Sequence, residues 1–448
     1  KAWILTVHVP LQFRTLFEAG SSSHNFALNT ATVTSDQPFD RCEYSVDGIL
    51  QSTVHYEVES CTAETRVWAL PSAPMSIIKG VKGVNAGPLT DEGLAAGDDL
   101  GVIRTGSLEI DCSTATFSAI GQEYYRFPCV PITRPGGREE WVANFFNAGN
   151  VQVKRVVAID VLPRENDRGV IINDSRGSRW AATLLEYPRL FGAPDNSSMT
   201  VYYTDRDDLA TVVCNGADIQ SELGMSDSSN PAMVESYQPC ITSTSNGGLP
   251  DRSDPVTGWQ VMPINPDSAL LESVVALKFV IDLGEGSAGL TPGSTLTIAY
   301  ETRTAIEPAL RETSANLARD SIAYNSIAGA ARGLEGGTDY PYRFVLEPRK
   351  AGVALATGAI EVQKVIDGPG ADFAPGSVEI DVSCTVDIDG AGSDFEPQPI
   401  SLLTSTGANR SPFTIVGNAA PYRILGIPLY AECTLSEAGV TGATTTAV

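Results

Sequence analysis

Histidine is almost absent from this sequence of 448 residues. Its three histidines, His8, His24 and His55, lie in the first 55 positions, and His8 and His55 fall in alternating, strand-like segments. We interpret these two as ordinary half-exposed side chains. The lack of histidine in residues 56–448 excludes Ser-His-Asp triads, Cys-His dyads and histidine-ligated metals from most of the chain.

Positive charge is also scarce, because 54 Asp and Glu outnumber 30 Lys and Arg and give a formal net charge of −24. This imbalance argues against nucleic acid or an anionic membrane as a partner.

No apolar run is long enough to span a bilayer, and no signal peptide or sorting signal is recognisable. Since residues 4–13 are already strand-like, we expect the chain to be a piece of a longer protein.

The abundant residues favour β structure. Thr, Ser and Val fill short alternating segments, and 41 Gly and 28 Pro separate them, which is typical of an all-β protein. A chain of this length should hold several domains. We predict that residues 1–72 are the C-terminal part of a β-sandwich domain. A central domain with long insertions, or two subdomains, would cover 73–350, and a last domain would cover 351–448.

The clearest strand signal lies between Trp141 and Pro163. Residues 141–146 alternate and residues 151–161 are largely apolar, so we predict two strands joined by a tight turn. The turn sequence Asn-Ala-Gly-Asn tolerates the positive φ that such turns demand. The second strand carries one acid, Asp160, and a carboxylate in an apolar strand is costly unless another group pairs with it.

Residues 307–318 are predicted to form a short helix, because Ala, Leu, Arg and Glu are good helix formers. The other segments with strand patterns are predicted as strands. These lie at 4–13, 25–34, 50–58, 65–70, 76–82, 101–110, 114–119, 176–180, 201–204, 274–283, 294–304, 321–327, 358–366, 378–386, 400–405, 413–416 and 422–435.

The eight cysteines form neighbouring couples, and none has the C-x-x-C spacing of a zinc ribbon or a redox site. An even number in a strand-rich, acidic chain predicts four disulfides and an oxidising compartment. Buried free thiols are the alternative for some of them. Because sequential pairing needs the fewest long-range closures, we predict Cys42–Cys61, Cys112–Cys129, Cys214–Cys240 and Cys384–Cys433.

The segments A-I-E-V-Q-K-V-I-D-G-P-G-A, V-E-I-D-V-S-C and Y-A-E-C-T-L-S-E in the last 90 residues resemble a domain of unknown function. That domain is repeated in large surface proteins of Gram-positive actinobacteria. The segments are also similar to the Cna-B-type, prealbumin-like sandwich of pilins and adhesins, in which a lysine opens the first strand and a Y-x-L-x-E pattern comes late. Lys364 and Glu437 match those positions. The asparagine of the family's closing strand has no match.

Residues 75–350 resemble surface domains in which an N-x-G-N turn precedes a V-x-D-x-L-P strand and which end in an N-x-A strand. Asn325 in Y-N-S-I-A is at the matching position, and N-T-A-T-V at 29–33 is similar to the same ending of a preceding domain. The resemblance implies tandem Ig-like or prealbumin-like β-sandwich domains in an elongated rod.

Such surface domains can carry an intramolecular Lys–Asn isopeptide bond, and the resemblance implies Lys79, Asp160 and Asn325 as its members. The chemistry needs a buried, neutral lysine amine and an asparagine carboxamide as electrophile. It also needs a buried, protonated acid that polarises the amide and transfers the proton. Lys82 is the reserve nucleophile. The alternative is that Lys79 is solvated and Asp160 accepts a hydrogen bond from a backbone turn.

A calcium site is a second hypothesis, and we expect no other cofactor. Asp387, Asp389 and Asp394 lie in a loop in which Asp and Gly alternate and offer oxygen ligands, loosely like the start of an EF-hand. The twelfth position is Gln398 rather than a bidentate Glu, so a plain acidic turn is the favoured alternative.

These observations favour a structural or adhesive protein of the cell wall or cell surface, acting as stalk, adhesin or lattice component without catalytic turnover. Its expected partners are other copies or neighbouring domains of the same surface protein, and a host protein or glycan. The alternative is a secreted carbohydrate-active enzyme with paired carboxylates, or a glycan-binding module. A deep cleft lined by two carboxylates and aromatic residues would favour the enzyme.

Overall fold

β-Strands form nearly all the regular structure of the computed structural model, and the predicted all-β class is confirmed. Within the described parts of the chain, no helix has the length and apolar character needed to cross a bilayer. The structure describes residues 26–46, 49–68, 73–84, 101–106, 110–112, 115–134, 136–170, 175–206, 259–284, 289–305, 321–335, 338–341, 346–386, 398–402, 409–429 and 431–438.

The first segment forms a four-stranded sheet of its own, in the order β1-β4-β2-β3. Its strands are β1 (Phe26–Phe39), β2 (Cys42–Val46), β3 (Ile49–His55) and β4 (Val58–Trp68). The long strands β1 and β4 run antiparallel, whereas β2 and β4 run parallel. His55 is exposed at the end of β3, while His8 and His24 lie outside the described residues.

The central part of the chain contributes sixteen strands and one short helix among the described residues. The helix α1 (Ser268–Ser273) is capped by the side chain of Asp267, which accepts a hydrogen bond from the backbone of Leu270. The strands are β5 (Met75–Val84), β6 (Val102–Arg104), β7 (Thr116–Ala119), β8 (Gln122–Tyr125), β9 (Cys129–Thr133), β10 (Arg138–Asn147), β11 (Val153–Val161), β12 (Thr183–Leu184), β13 (Arg189–Phe191), β14 (Ser198–Thr204), β15 (Gln260–Val261), β16 (Ala276–Asp282), β17 (Thr295–Arg303), β18 (Ile322–Glu335), β19 (Thr338–Pro341) and β20 (Ala351–Leu355).

These strands build two sheets that share one hydrophobic core. One sheet has the order β12-β17-β10-β5-β8-β7, and the other has the order β15-β14-β16-β11-β18-β20-β9-β6. Alternate residues of β10, such as Trp141 and Phe145, enter the same cluster as Phe279 of β16 and Ile327 of β18. Burial of each such side chain contributes about 1.5–3 kcal/mol to folding stability. Because the two sheets pack against each other through this shared core, they form a β-sandwich.

The predicted hairpin of β10 and β11 is wrong in one respect, because the two strands do not pair with each other. They belong to opposite sheets, and residues 148–152 carry the chain across the edge of the sandwich. The buried side chain of Asn147 builds this corner, since its Nδ2 donates to the carbonyl oxygens of Val151 and Leu290 at 2.9 Å each. None of residues 147–150 has a positive φ.

Two other strand predictions need correction. Residues 176–180 form no strand, because Arg176 is buried and donates to the carbonyl oxygens of Val161 and Leu162. The single strand predicted at 422–435 is two strands, separated near residue 429. The strands that were not predicted lie at 42–46, 122–125, 129–133, 183–184, 189–191, 260–261, 338–341 and 351–355. The predicted helix at 307–318 lies outside the described residues.

The strand β20 begins where the sequence places a domain boundary. It pairs with β18 and with β9, and Ala351, Val353 and Leu355 are buried in the core of the sandwich. The division of the chain at residue 350 stays a prediction. The strand pairing favours a boundary that follows Leu355.

The last segment has a separate hydrophobic core. Its strand β22 alternates buried and exposed residues over its whole length, as expected for a strand with one face on a core. It pairs with β23, β24 and β26, while β21 pairs with β25. The elements are β21 (Thr357–Val362), a 3₁₀ turn (Ala371–Phe373), β22 (Ser377–Val386), β23 (Gln398–Ile400), β24 (Phe413–Val416), β25 (Tyr422–Pro428) and β26 (Ala431–Ala438).

Three of the four predicted disulfides are formed in the structure. They are Cys42–Cys61, Cys112–Cys129 and Cys384–Cys433, with sequence separations of 19, 17 and 49 residues. The first links β2 to β4 and the third links β22 to β26, so each ties neighbouring strands of one sheet. The predicted pair Cys214–Cys240 lies outside the described residues.

Candidate functional site

Lys79 is the only lysine of β5 whose side chain enters the core of the sandwich. Ile77, Lys79 and Val81 lie on the same face of the strand, because side chains alternate along it. The Lys79 side chain is fully shielded from solvent. An ammonium group in such an environment requires a partner, since burial penalises a charge that is not paired.

The partner is Asp160 of β11, which reaches Lys79 from the opposite sheet. The Lys79 Nζ donates to Asp160 Oδ2 at 2.5 Å, and the carboxylate is also fully buried. The acid that the sequence places in an apolar strand therefore has a charged partner. The alternative of a solvated Lys79 with Asp160 on a backbone turn is wrong.

Tyr300 of β17 completes the pair. Its hydroxyl oxygen accepts a hydrogen bond from Lys79 Nζ at 2.9 Å, and its O–H donates to Asp160 Oδ2 at 2.8 Å. The strand pairing explains this placement, because β10 lies between β5 and β17 in one sheet and Tyr300 pairs with Trp141 of β10. The Lys79 Nζ also lies 4.7 Å from the centroid of the Tyr300 ring and 5.7 Å from that of Trp141.

Asn325 of β18 is the fourth member of this cluster. Its Nδ2 donates to the Tyr300 hydroxyl at 2.8 Å. The side chain lies beside Asp160, since Asp160 pairs with Ile327, two residues further along β18. The structure thus brings together the three residues that the sequence singles out, and one tyrosine hydroxyl contacts all of them.

Two oxygen atoms of the cluster, Asp160 Oδ1 and Asn325 Oδ1, are buried and have no hydrogen-bond partner. Both are acceptors, and a buried acceptor without a donor costs free energy. A proton on the carboxyl group of Asp160 would supply a donor that the cluster lacks.

Burial shapes the acid–base properties of the cluster. Desolvation lowers the pKa of Lys79, although the negative charge and hydrogen bond of Asp160 act in the opposite direction. Desolvation and the negative charge of Asp160 hold the pKa of Tyr300 well above its usual range. The lysine amine is thereby shifted toward its neutral, nucleophilic form, while the tyrosine keeps its proton.

Lys82 does not belong to the cluster. It faces the other side of its sheet, where its Nζ lies 3.6 Å from Glu140 Oε2 and 5.5 Å from the centroid of the Tyr124 ring. Its role as reserve nucleophile is therefore wrong, because a shift of three residues along a strand reverses the face.

The second pair that the resemblance singles out is also in contact. Lys364 Nζ donates to Glu437 Oε2 at 2.7 Å. The lysine side chain retains 32% of its exposure, so its environment differs from the dry surroundings of Lys79. The calcium candidates Asp387, Asp389 and Asp394 lie outside the described residues. In the described ranges, no three His, Cys, Asp or Glu residues are placed to hold a metal ion.

The sequence did not single out Tyr300 or a further buried acid, Glu139. Tyr300 is recognisable only as one of the alternating residues of its strand. Glu139 is 1% exposed, accepts hydrogen bonds from the hydroxyls of Thr302 and Thr304, and lies near Arg134. Burial raises the pKa of Glu139 to about 8. A charged residue at an inward position of a strand is the signal that could have found it.

Comparison with protein families gives one match. Residues 360–448 match the model of a domain of unknown function (DUF5979). This range covers the last segment and its core, and it includes Lys364 and Glu437. No curated protein matches the chain.

Comparison with solved structures gives several pilins, at low identity. Domains D2 and D3 of the major pilin SpaD from Corynebacterium diphtheriae are 10% identical, with 70% of this chain and 84% of that chain covered and a TM-score of 0.20. The T6 backbone pilin of Streptococcus pyogenes is 11% identical, with 95% and 62% covered and a TM-score of 0.27. The major pilin SpaA from C. diphtheriae is 10% identical, with 88% and 66% covered and a TM-score of 0.23.

Proposed function

We propose that this protein is a structural component of a bacterial cell surface whose central sandwich is locked by an isopeptide bond between Lys79 and Asn325. The observation that carries the proposal is the fully buried cluster of Lys79, Asp160, Tyr300 and Asn325. A buried ion pair alone is weak support for stability. A reaction that consumes the lysine amine would explain why a lysine and an acid are buried together in this core.

The groups required for amide exchange are all present. The lysine supplies the nucleophile once its proton has moved to Asp160, whose Oδ2 lies 2.5 Å away. Asn325 supplies the electrophilic carbon, and its amide nitrogen and Lys79 Nζ both lie within hydrogen-bond distance of one oxygen atom. Holding reactants in this way removes much of the entropic cost of their encounter.

The bond would connect the two sheets of the sandwich. Lys79 lies on β5 in one sheet and Asn325 on β18 in the other, so the crosslink would run through the core. The disulfides Cys42–Cys61 and Cys384–Cys433 act within single sheets. The proposed bond would give the central sandwich a covalent connection between its two sheets that resists pulling.

Such a lock suits a stalk, adhesin or lattice component that is exposed to shear. We propose a location at the cell wall or cell surface and a rod of tandem sandwiches, with other copies or neighbouring domains of the same protein as partners. Binding of a host protein or glycan belongs to the same proposal. A secreted carbohydrate-active enzyme remains the alternative prediction.

The direct test is the intact mass of the purified chain after full reduction. Each isopeptide bond lowers the mass by one ammonia, so we expect one ammonia less than the sequence mass. Asp160→Ala should restore the full sequence mass, because no group then accepts the lysine proton. Lys82→Ala is the matched control and should keep the lower mass, since Lys82 faces away from the cluster. A wild-type chain with its full sequence mass contradicts the proposal.

A further inference from the structure

The hydroxyl of Tyr300 lies at the centre of the buried cluster. It accepts a hydrogen bond from Lys79, donates one to Asp160 Oδ2 and accepts one from the amide nitrogen of Asn325. We propose that Tyr300 is a catalytic residue of the crosslinking reaction, and that its hydroxyl relays a proton from Asp160 to the leaving nitrogen of Asn325. This inference rests on the proposed function.

The need for a relay follows from the contacts of the leaving group. An amide nitrogen leaves as ammonia only when it has gained a proton, and Asp160 is the group placed to hold the proton that Lys79 loses. Among the described residues, the Asn325 nitrogen has its hydrogen bond with Tyr300 rather than with Asp160. The tyrosine hydroxyl is therefore the connection between the acid and the leaving group.

The step balances without any further reactant. The lysine transfers one proton to Asp160, and its nitrogen lone pair forms a bond with Cγ of Asn325. As the tetrahedral intermediate collapses, the lysine nitrogen loses a second proton to the Asp160 carboxylate, which has by then passed on its first proton and ends the reaction protonated. The bond between Cγ and Nδ2 breaks while the Tyr300 O–H gives its proton to Nδ2 and takes one from Asp160. The products are one secondary amide and one ammonia, and Tyr300 ends with its proton restored.

The surroundings of Tyr300 fit a relay rather than a base. Its side chain is 0% exposed, so exchange with bulk water does not compete with transfer inside the cluster. Burial and the charge of Asp160 keep the pKa of Tyr300 well above its usual range. The hydroxyl thus stays neutral and passes a proton on only when it receives another.

The test is the rate of crosslinking in the full chain during in vitro synthesis with a short pulse of label. Samples taken at successive times are quenched in acid and reduced, and the mass of the intact chain is measured by mass spectrometry. General acid catalysis contributes about 100-fold or more to such a step, so we expect Tyr300→Phe to crosslink about 100-fold more slowly than the wild type. The phenyl ring keeps the packing against Lys79 and Trp141.

Tyr124→Phe is the matched control. Tyr124 is equally buried and donates its hydroxyl to Glu140, but it faces the other side of the sheet. It should crosslink at the wild-type rate. If Tyr300→Phe also reacts at the wild-type rate while Asp160→Ala does not react, the relay is wrong and the proposed bond stands. If the wild type never loses ammonia, the reaction and the relay fall together.

A second measurement covers the case in which Tyr300→Phe does not fold. A relay moves two protons in one step, so the wild-type rate should fall along a curve, rather than a line, as the deuterium content of the water rises. A linear dependence means that a single proton moves and would overturn the relay.

Discussion

Glu139 shows how one buried side chain can make the stability of this protein depend on pH. The residue is fully desolvated, and burial raises its pKa to about 8 in the folded chain from an unfolded value of 4.5. Between these values the folded chain holds a proton that the unfolded chain has lost. Stability from this group is therefore complete below pH 4.5 and decreases as the pH rises to about 8.

Glu139→Gln should remove this pH dependence, because the amide keeps the shape of the protonated acid and does not ionise. We expect similar urea midpoints for the variant and the wild type near the lower pKa. Near pH 8 the variant should be the more stable of the two. Glu140→Gln is the control on the neighbouring position, and it should not reproduce this pattern. A wild-type midpoint that rises across the same interval contradicts the prediction.

At the scale of single strands, close backbone approach limits which residues fit. An added Cβ at Gly289 would lie 2.2 Å from the carbonyl oxygen of Val153, at the bridge that holds Leu290 beside β11. The backbone of Val153 cannot move away from the added Cβ as easily as the end of a flexible side chain could. Gly289→Ala should therefore cost about 1–3 kcal/mol of unfolding free energy, as overpacking usually does.

The matched control for this change is Gly358→Ala in β21. A Cβ at Gly358 would meet nothing within 4 Å, and alanine lowers the conformational entropy of the unfolded chain. The control should be neutral or slightly stabilising. Thermal denaturation of both variants checks the pair, and equal losses of stability would refute the steric explanation.

The strands themselves are largely predictable from the sequence, whereas their partners are not. Alternation identifies β5 and β17 and correctly places Lys79 on an inward face, while an apolar run identifies β11 around Asp160. It cannot reveal that β10 and β11 lie in opposite sheets, because adjacent strands joined by a short connection have the same pattern whether they pair or cross. The sequence thus predicts the two charged members of the cluster, Lys79 and Asp160, because a charged side chain in an otherwise apolar strand is unusual.

The role of Tyr300 could not be predicted either, because a strand pattern does not show which residues of the other sheet pack against it. A tyrosine at an inward strand position is most often a core residue with one hydrogen bond, and only the packing of two sheets gives its hydroxyl three partners. The boundary near residue 350 is a similar case. The sequence around Pro348 resembles a linker, and nothing local shows that residues 351–355 complete a sheet with β18.

At the scale of the whole molecule, the proposed bond determines how the chain responds to force. Pulled from its ends, a chain joined at Lys79 and Asn325 carries the load through the bond, so residues 80–324 are never extended. We expect single-molecule extension of the wild type to lack the length of that segment. Asp160→Ala should release it in full. Equal contour lengths for the two proteins would contradict the prediction.

The proposed bond between Lys79 and Asn325 also has a topological consequence. Once joined, the segment between them is a closed loop of covalent bonds, with the rest of the chain attached as two tails. A protease that cuts this loop once, at any position, opens it but releases no fragment. The central sandwich would then tolerate a single cleavage while its N-terminal and C-terminal neighbours stay covalently connected.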